Sequence, residues 1–141
     1  MLTFIVLTVN AQTAEDSVKQ TVNSMFAAMK NANSKLLLSA FADSAILQTI
    51  VQDKQGKVSI RTEDIREFAD FVGKQPAGNA DERITFASIS LDGNLASVWT
   101  PYRFYFEGKF SHCGANSFQL ARINNEWKIQ YLVDTRRKNC N

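Results

Sequence analysis

Histidine and cysteine are almost absent from this chain of 141 residues, which has one histidine, His112, and two cysteines, Cys113 and Cys140. These residues are too few, and lack a recognisable ligand spacing, for a metal site. His112 and Cys113 are adjacent on a predicted strand, where successive side chains point to opposite faces, so they cannot form a thiolate–imidazole dyad. We therefore predict no metal and no cofactor.

An excess of charge of one sign is also missing. The chain has 16 Lys and Arg against 14 Asp and Glu, a formal net charge of +2, which is too small to indicate a nucleic-acid surface. Residues 102–106 (YRFYF) interleave aromatic residues with an arginine, as single-strand nucleic-acid platforms do, but the small charge favours a place in the core and in a dimer face. No apolar run reaches the about 20 residues of a membrane span. We expect neither nucleic-acid binding nor a stable membrane span.

Charge is absent altogether from residues 1–11, MLTFIVLTVNA. Residues 2–9 form an apolar run. The Val-Asn-Ala of residues 9–11, at its end, is typical of the cleavage site of a secretory signal peptide. We predict export, to the periplasm or out of the cell, with cleavage near Ala11–Gln12 and with residues 12–141 as a single domain. No Lys or Arg precedes the run, so a start further upstream, or a buried N-terminal strand or helix, stays open.

Export allows the two cysteines to pair, because disulfides persist in oxidising compartments. If a hairpin turns at Asn124-Asn125, Cys113 lies opposite Arg136, and Cys140 follows just past the end of that strand. The tail must fold back to satisfy disulfide geometry. A bridge between Cys113 and Cys140 and a pair of free thiols are both consistent with the sequence.

Three helices are predicted in the first half of the chain. Apolar residues spaced by three or four after Thr13 form one stripe on a first helix, and residues 34–45 (SKLLLSAFADSA) predict a second, shorter helix. Thr62 is the predicted N-cap of the third helix, which ends near Gly73. The predicted core positions are Val18, Val22, Met25, Phe26, Met29, Leu37, Leu38, Phe41, Ile65, Phe68, Ala69 and Val72.

Strand signals fill the rest of the sequence. A short hairpin is predicted from residues 46–52 and 58–61, because β-branched runs flank a polar turn. Pro101, which lacks an amide donor, predicts an edge position or a bulge. The four long antiparallel strands that follow are predicted at 82–91, 95–108, 110–123 and 126–137.

This order of elements predicts an α+β fold. Three helices from the N-terminal half pack on one side of a curved, mainly antiparallel mixed sheet, and a conical cavity is left between the layers. A bulge at Pro101 or Gly114 would reverse which side chains face that cavity. Alternation without a bulge predicts these inward positions: Val98, Tyr102, Phe104 and Phe106; His112, Asn116, Phe118 and Leu120; Trp127, Ile129, Tyr131 and Val133.

The arrangement resembles the nuclear transport factor 2-like superfamily, the cone-shaped α+β fold that includes ketosteroid isomerase and SnoaL-type polyketide cyclases. The likeness covers residues 13–137 and is carried by the closing hairpin FQLARINNEWKIQYLVDT, with Trp127 and Ile129 as a Trp-x-Ile pair. The pattern FYFEGKFSHCG followed by DTRR is similar to small exported proteins called lumazine-binding-like or SnoaL-like. The resemblance implies a homodimer through the outer sheet face. It also implies a carboxylate base for the enzymes, to which no aspartate here is matched.

His112 and Asp134 are the predicted catalytic residues. They lie on neighbouring strands, and a carboxylate that orients a histidine ring can make it a general base near neutral pH. The alternative is a hydrogen-bonded structural histidine at a strand end. Parity favours this alternative, because Asp134 points outward if Val133 points inward.

The predicted ligand-binding residues are Tyr102, Phe104, Asn116, Tyr131 and Arg136. Arg136 either meets an anionic ligand at the mouth of the cone or pairs with a surface carboxylate such as Asp134. The first functional hypothesis is a non-catalytic exported domain that binds an apolar or anionic small molecule. The second is a cofactor-independent isomerase, cyclase or dehydratase that uses His112 with or without Asp134. The third is an interaction module that uses the outer sheet face.

Overall fold

A computed structural model describes residues 13–140. The predicted signal peptide and its cleavage site lie outside these described residues. Three helices precede or interrupt a sheet of seven strands. The elements are α1 (Ala14–Lys30), α2 (Ser34–Ser39), β1 (Phe41–Gln52), β2 (Val58–Glu63), α3 (Ile65–Gly73), β3 (Ala80–Ile84), β4 (Ser88–Asp92), β5 (Leu95–Phe106), β6 (Lys109–Ile123) and β7 (Glu126–Thr135).

Helix α1 forms as its apolar spacing predicts. The side chain of Thr13 caps the helix by accepting a hydrogen bond from the amide of Asp16, which satisfies one of the free N–H groups of the first turn. The five residues of the predicted stripe are all buried. Phe26 packs edge-on against Phe118 of β6, with the ring centroids 6.0 Å apart. The apolar stripe therefore holds α1 against the sheet.

Two predicted helix boundaries are wrong, and strand pairing explains both. The predicted second helix runs to residue 45, but α2 ends at Ser39 and Phe41 begins β1, where it pairs with Ile129 of β7. Thr62 is not a helix cap, because it lies in β2 and pairs with Gln48 of β1. The cap of α3 is instead Asp64. Ladder hydrogen bonds decide these ends, and local propensity does not.

The sheet has the order β2-β1-β7-β6-β5-β3, with β4 also paired to β5. The β1–β7 pair is parallel and the other pairs are antiparallel. The single outer strand predicted at 82–91 is broken into β3 and β4. Pro101 of β5 lies at this break, where its carbonyl accepts a hydrogen bond from the amide of Thr85 at 3.0 Å. Proline has no N–H to return, so the ladder cannot continue regularly past it.

A bulge in β7 changes the direction of its side chains. Gln119 pairs with Tyr131 but the next residue, Leu120, pairs with Ile129, so Gln130 is an extra residue in β7. Trp127 and Ile129 face inward as predicted, and past the bulge the buried residue is Leu132. The inward positions predicted for Tyr131 and Val133 are therefore wrong, because one inserted residue reverses the parity of a strand.

Gly114 makes room for a backbone carbonyl near the end of β7. The amide of Ala115 bonds the side-chain hydroxyl of Thr135 at 3.1 Å, and the carbonyl of Thr135 accepts instead from the hydroxyl of Tyr102 at 2.6 Å. A Cβ atom at residue 114 would overlap that carbonyl oxygen. Only glycine fits at this position while the Thr135 carbonyl keeps its direction.

A disulfide joins Cys113 of β6 to Cys140, with the Cα atoms 6.0 Å apart. Cys113 also forms a backbone bridge with Arg137, whose two N–H···O bonds measure 2.9 and 2.8 Å. The β7 bulge places Arg137, and not Arg136, opposite Cys113. The chain that follows β7 is thus attached to β6 both covalently and by hydrogen bonds.

We predict that Gly114→Ala lowers the free energy of unfolding by about 2 kcal/mol, because the new methyl group overlaps the Thr135 carbonyl and the surrounding core must shift. Urea denaturation measures the change. The control is Gly93→Asn, in a turn where a Cβ meets nothing within 4 Å and where asparagine tolerates the positive φ. Equal stability of the Gly114→Ala variant and the wild type would contradict the overlap.

Candidate functional site

A cavity of about 370 Å³ lies between the helices and the inner face of the sheet. Its walls are apolar, and its polar side chains come from β1, β2, β3, β6 and the end of β7. Phe68 and Phe71 of α3 border it on the helical side. The other apolar lining residues are Met25, Phe26, Met29, Leu47, Phe104 and Leu132.

Asp134 lies in this cavity with both of its oxygens hydrogen-bonded. The hydroxyl of Thr49 donates to Oδ1 at 2.6 Å, while the hydroxyl of Tyr102 and Nε of Arg136 donate to Oδ2 at 3.1 and 3.2 Å. Donors from β1, from β5 and from the residue just after β7 hold the carboxyl group in place at a site where its side chain is only 12% exposed. Asp134 is therefore an anchored acceptor in this structure.

Tyr102 supports Asp134 from behind the cavity. Its side chain is buried, and its single hydroxyl proton is shared between the carbonyl of Thr135 at 2.6 Å, the shorter contact, and Oδ2 of Asp134 at 3.1 Å. Burial raises the pKa of the Tyr102 hydroxyl well above its ordinary value, and the negative charge of Asp134 raises it further. The hydroxyl stays protonated and acts as a hydrogen-bond donor.

Arg136 borders the cavity, but its guanidinium already has partners. Nε bonds Asp134, Nη2 donates to Thr49 at 3.2 Å, and Nη2 also lies 4.0 Å from a carboxylate oxygen of Glu63. Of the two fates predicted for Arg136, the pairing with Asp134 is present. Arg136 also lines the cavity, so its contact with a ligand stays a prediction.

Glu82 of β3 is the carboxylate that the sequence reasoning missed. Its side chain lines the cavity, and Oε1 accepts a hydrogen bond from Nδ2 of the buried Asn116 at 2.9 Å. Asn116 also donates to the hydroxyl of Thr100 at 3.2 Å. A signal was present in the sequence, because alternation places Glu82 on the same face as Ile84 and Phe86.

Burial raises the pKa of Glu82 from 4.5 to about 7. The hydrogen bond from Asn116 and the charge of Arg136 oppose this shift, while the nearby charge of Asp134 adds to it. A carboxyl group with a pKa near neutrality exchanges its proton readily at physiological pH. Glu82 is therefore a candidate acid or base of the cavity.

His112 lines the cavity beside two aromatic rings. Its ring centroid lies 5.0 Å from that of Phe104 and 5.7 Å from that of Tyr102, and Nδ1 is hydrogen-bonded with the hydroxyl of Ser111 at 3.0 Å. Burial lowers the pKa of His112, as do the charges of Arg136 and Lys138, while Asp134 acts in the opposite direction. The imidazole is neutral at pH 7.

The structure brings together five of the predicted site residues around one cavity: Phe104, His112, Asn116, Asp134 and Arg136. Within residues 13–140, no hydrogen bond joins His112 to Asp134, and the carboxylate oxygens accept instead from Thr49, Tyr102 and Arg136. A catalytic role for the pair stays a prediction. No group of three or more His, Cys, Asp or Glu side chains in the described range is arranged to hold a metal ion.

Tyr131 does not belong to the cavity, which corrects its predicted role in ligand binding. Its hydroxyl donates to Oε1 of Gln48 at 2.7 Å on the outer face of the sheet. The bulge at Gln130 causes this placement, since it turns Leu132 inward in place of Tyr131.

Comparison with known proteins identifies the fold. No protein-family model matches the sequence, and no curated protein matches it. An NTF2-like protein of unknown function from Methylobacillus flagellatus is 21% identical, with a TM-score of 0.65 over 87% of this chain and 91% of that chain. A protein of unknown function with a cystatin-like fold from Nostoc punctiforme is 15% identical, with a TM-score of 0.69 over 89% of this chain and 93% of that chain.

A third solved structure, an NTF2-like protein of unknown function from Shewanella baltica, is 14% identical, with a TM-score of 0.67 over 89% of this chain and 94% of that chain. At such identities the likeness shows the fold alone. The chain has the NTF2-like, cystatin-like α+β fold, and the fold predicted from the order of the elements is confirmed.

We predict that Glu82 makes the folded protein less stable as the pH rises. A carboxyl whose pKa is higher in the folded state contributes stability below its unfolded pKa, near 4.5, and loses it as the pH rises through about 7. The free energy of unfolding falls by roughly 2 kcal/mol between about pH 5 and about pH 8 from this group. Glu82→Gln removes that fall, as urea denaturation at the two pH values measures.

The matched control for this prediction is Glu126→Gln. It removes the same charge from a side chain that is 69% exposed and pairs only with Lys128 among the described residues, so the pH dependence of the wild type is retained. Parallel pH profiles for the wild type and Glu82→Gln would show that Glu82 ionises as an ordinary exposed glutamate does.

Proposed function

We propose that this chain binds a small molecule in the cavity between its helices and its sheet. The observation that carries the proposal is the combination of an apolar wall with polar groups that converge on one part of it. A volume of about 370 Å³ lies in the range of sites for small organic ligands, which are mostly apolar with a few placed polar groups. Glu82 and Asn116 are the polar groups best placed to orient the ligand.

Proton transfer is the second candidate function, and the raised pKa of Glu82 favours it. A base with a pKa of about 7 lines a mainly apolar cavity, and a pKa near the working pH suits general acid–base catalysis. This modifies the isomerase, cyclase or dehydratase hypothesis. Glu82 takes the role of the base, the neutral His112 is a second group that can exchange a proton, and Asp134 orients its neighbours.

Export and self-association complete the proposal. The disulfide of Cys113 with Cys140 is typical of proteins in oxidising compartments, and among residues 13–140 no helix is long and apolar enough to cross a membrane. The outer face of the sheet exposes Ile46, Ile60 and Trp99, which suits a homodimer. An intact Met1 on protein from the native host would contradict export, and a monomeric native mass would contradict the dimer.

We predict that the neutral fluorescent probe N-phenyl-1-naphthylamine binds once per chain and that Leu132→Trp weakens its binding at least tenfold. Leu132 lines the cavity, so a larger side chain fills the space that the probe occupies. Fluorescence titration measures the affinity. The control is Val133→Trp, the next residue on the opposite face, which keeps wild-type affinity. Equal weakening by both variants would place the probe outside the cavity.

For the second candidate we predict that the protein accelerates exchange of the acidic α-protons of 2-tetralone with deuterated water, as followed by NMR. Glu82→Gln removes a positioned base and lowers that exchange by about 100-fold or more. The exchange rates of the wild type, of Glu82→Gln and of the control Glu126→Gln are compared at a temperature at which all three proteins are folded. Exchange at the buffer rate with the wild-type protein would exclude this probe reaction and leave binding as the function.

A further inference from the structure

Several of the hydrogen-bond donors around the cavity already have acceptors among the described residues. The hydroxyls of Thr49 and Tyr102 bond Asp134. Arg136 donates to Asp134 and Thr49, and the amide group of Asn116 donates to Glu82 and Thr100. These bonds use two of the five N–H donors of Arg136. The donors left for a ligand therefore lie mainly at Arg136, where Glu63 and Asp134 already offset the positive charge.

Acceptors are what the cavity still offers. Oε1 of Glu82 receives one hydrogen bond, from Asn116, and Oε2 receives none from residues 13–140. An ionised carboxylate has about four acceptor positions, so Glu82 is far from satisfied. Glu82 is half-buried, and a partly desolvated carboxylate in this condition is costly unless a ligand supplies further donors or a positive charge.

The charges around the cavity favour a cation. Glu63, Glu82 and Asp134 contribute carboxyl groups, and Arg136 is the one cationic side chain among the described lining residues. Glu63 is paired with Arg61 at 3.1 Å and Asp134 with Arg136 at 3.2 Å, so Glu82 is the cavity carboxyl without an ion pair among residues 13–140. His112 does not add a positive charge at neutral pH, because burial keeps its imidazole neutral. Coulomb interactions are strong in such a poorly solvated site, so an anionic ligand is repelled and a cationic ligand is attracted.

Aromatic rings line the same cavity as Glu82. Phe104 pairs with Glu82 across β3 and β5, and its ring lies against that of His112. Phe26 and Phe68 line the cavity as well. The face of an aromatic ring attracts an ammonium group, most strongly where water is excluded. A cation at Glu82 therefore meets a carboxylate and ring faces together.

We propose that the molecule bound in this cavity carries a protonated amine, which pairs with the carboxylate of Glu82 and lays its apolar part against Phe104, Met29 and Leu132. The inference rests on the proposed function, since it names the chemical class of the ligand for the same cavity. It departs from the anionic ligand predicted from Arg136, because that guanidinium is bound to Asp134 and Thr49.

Three matched probes test the inference on the wild-type protein: 2-phenylethylamine, 2-phenylethanol and phenylacetate. They share a ring and differ in the charge of the polar end. Isothermal titration at about pH 8, where an alkyl amine is still protonated, gives the three affinities. We expect the amine to bind at least tenfold more tightly than the alcohol, and phenylacetate to bind most weakly.

Glu82→Gln identifies the partner of the amine. The glutamine keeps the size and polarity of the side chain but removes its charge, so the amine loses at least tenfold in affinity while the alcohol changes less than about threefold. The control is Glu126→Gln, which removes the same charge far from the cavity and retains the preference for the amine. An amine preference that survives in Glu82→Gln would overturn the pairing.

The remaining outcomes separate the two proposals. If the alcohol or phenylacetate binds as tightly as the amine, the cavity binds small molecules but the inference about charge is wrong. The same holds if N-phenyl-1-naphthylamine binds and none of the three phenyl probes does. If no probe binds at all, the proposed binding function fails, and the inference fails with it.

Discussion

The extra residue in β7 is the constraint on which the polar part of the cavity depends. Without Gln130 as a bulge, regular alternation would point Asp134 and Arg136 away from the cavity. With it, Asp134 turns inward to donors from β1 and β5. A buried carboxylate is stable only when such partners are present, so the bulge and the network around Asp134 require each other.

The two carboxylates of the cavity differ in how well they are satisfied. Asp134 accepts hydrogen bonds from three side chains, whereas Glu82 accepts one from Asn116. Desolvation, together with the nearby charge of Asp134, raises the pKa of Glu82. Glu82 is therefore the carboxyl group with acceptor positions still open among the described residues, while Asp134 is held by its neighbours. His112 and Asp134 are not hydrogen-bonded to each other among the described residues.

Much of the fold could be predicted from the sequence, because helical spacing, alternation and turn residues are local signals. The stripe of α1 and the turn at Asn124-Asn125, where both residues have positive φ, are examples. Local spacing places Phe41 in a helix. Its parallel pairing with β7 is a long-range contact, which local spacing does not indicate. Alternation predicts that Tyr131 faces inward, because no residue type near Gln130 indicates the bulge that reverses the strand. The inward direction of Glu82 could be predicted, since its strand is predicted from the sequence. Its position in the cavity wall could not, because that depends on the packing of the helices on the sheet.

The bond between Cys113 and Cys140 makes the folded molecule depend on where it is produced. Cys113 follows His112 directly, and the segment that the bond holds begins just after Asp134 and Arg136. A host that keeps thiols reduced yields a different chemical species, in which this end of the cavity is held by hydrogen bonds alone. Recombinant material made in a reducing cytosol and material secreted through an oxidising compartment are therefore separate samples, and free-thiol titration should precede any ligand screen.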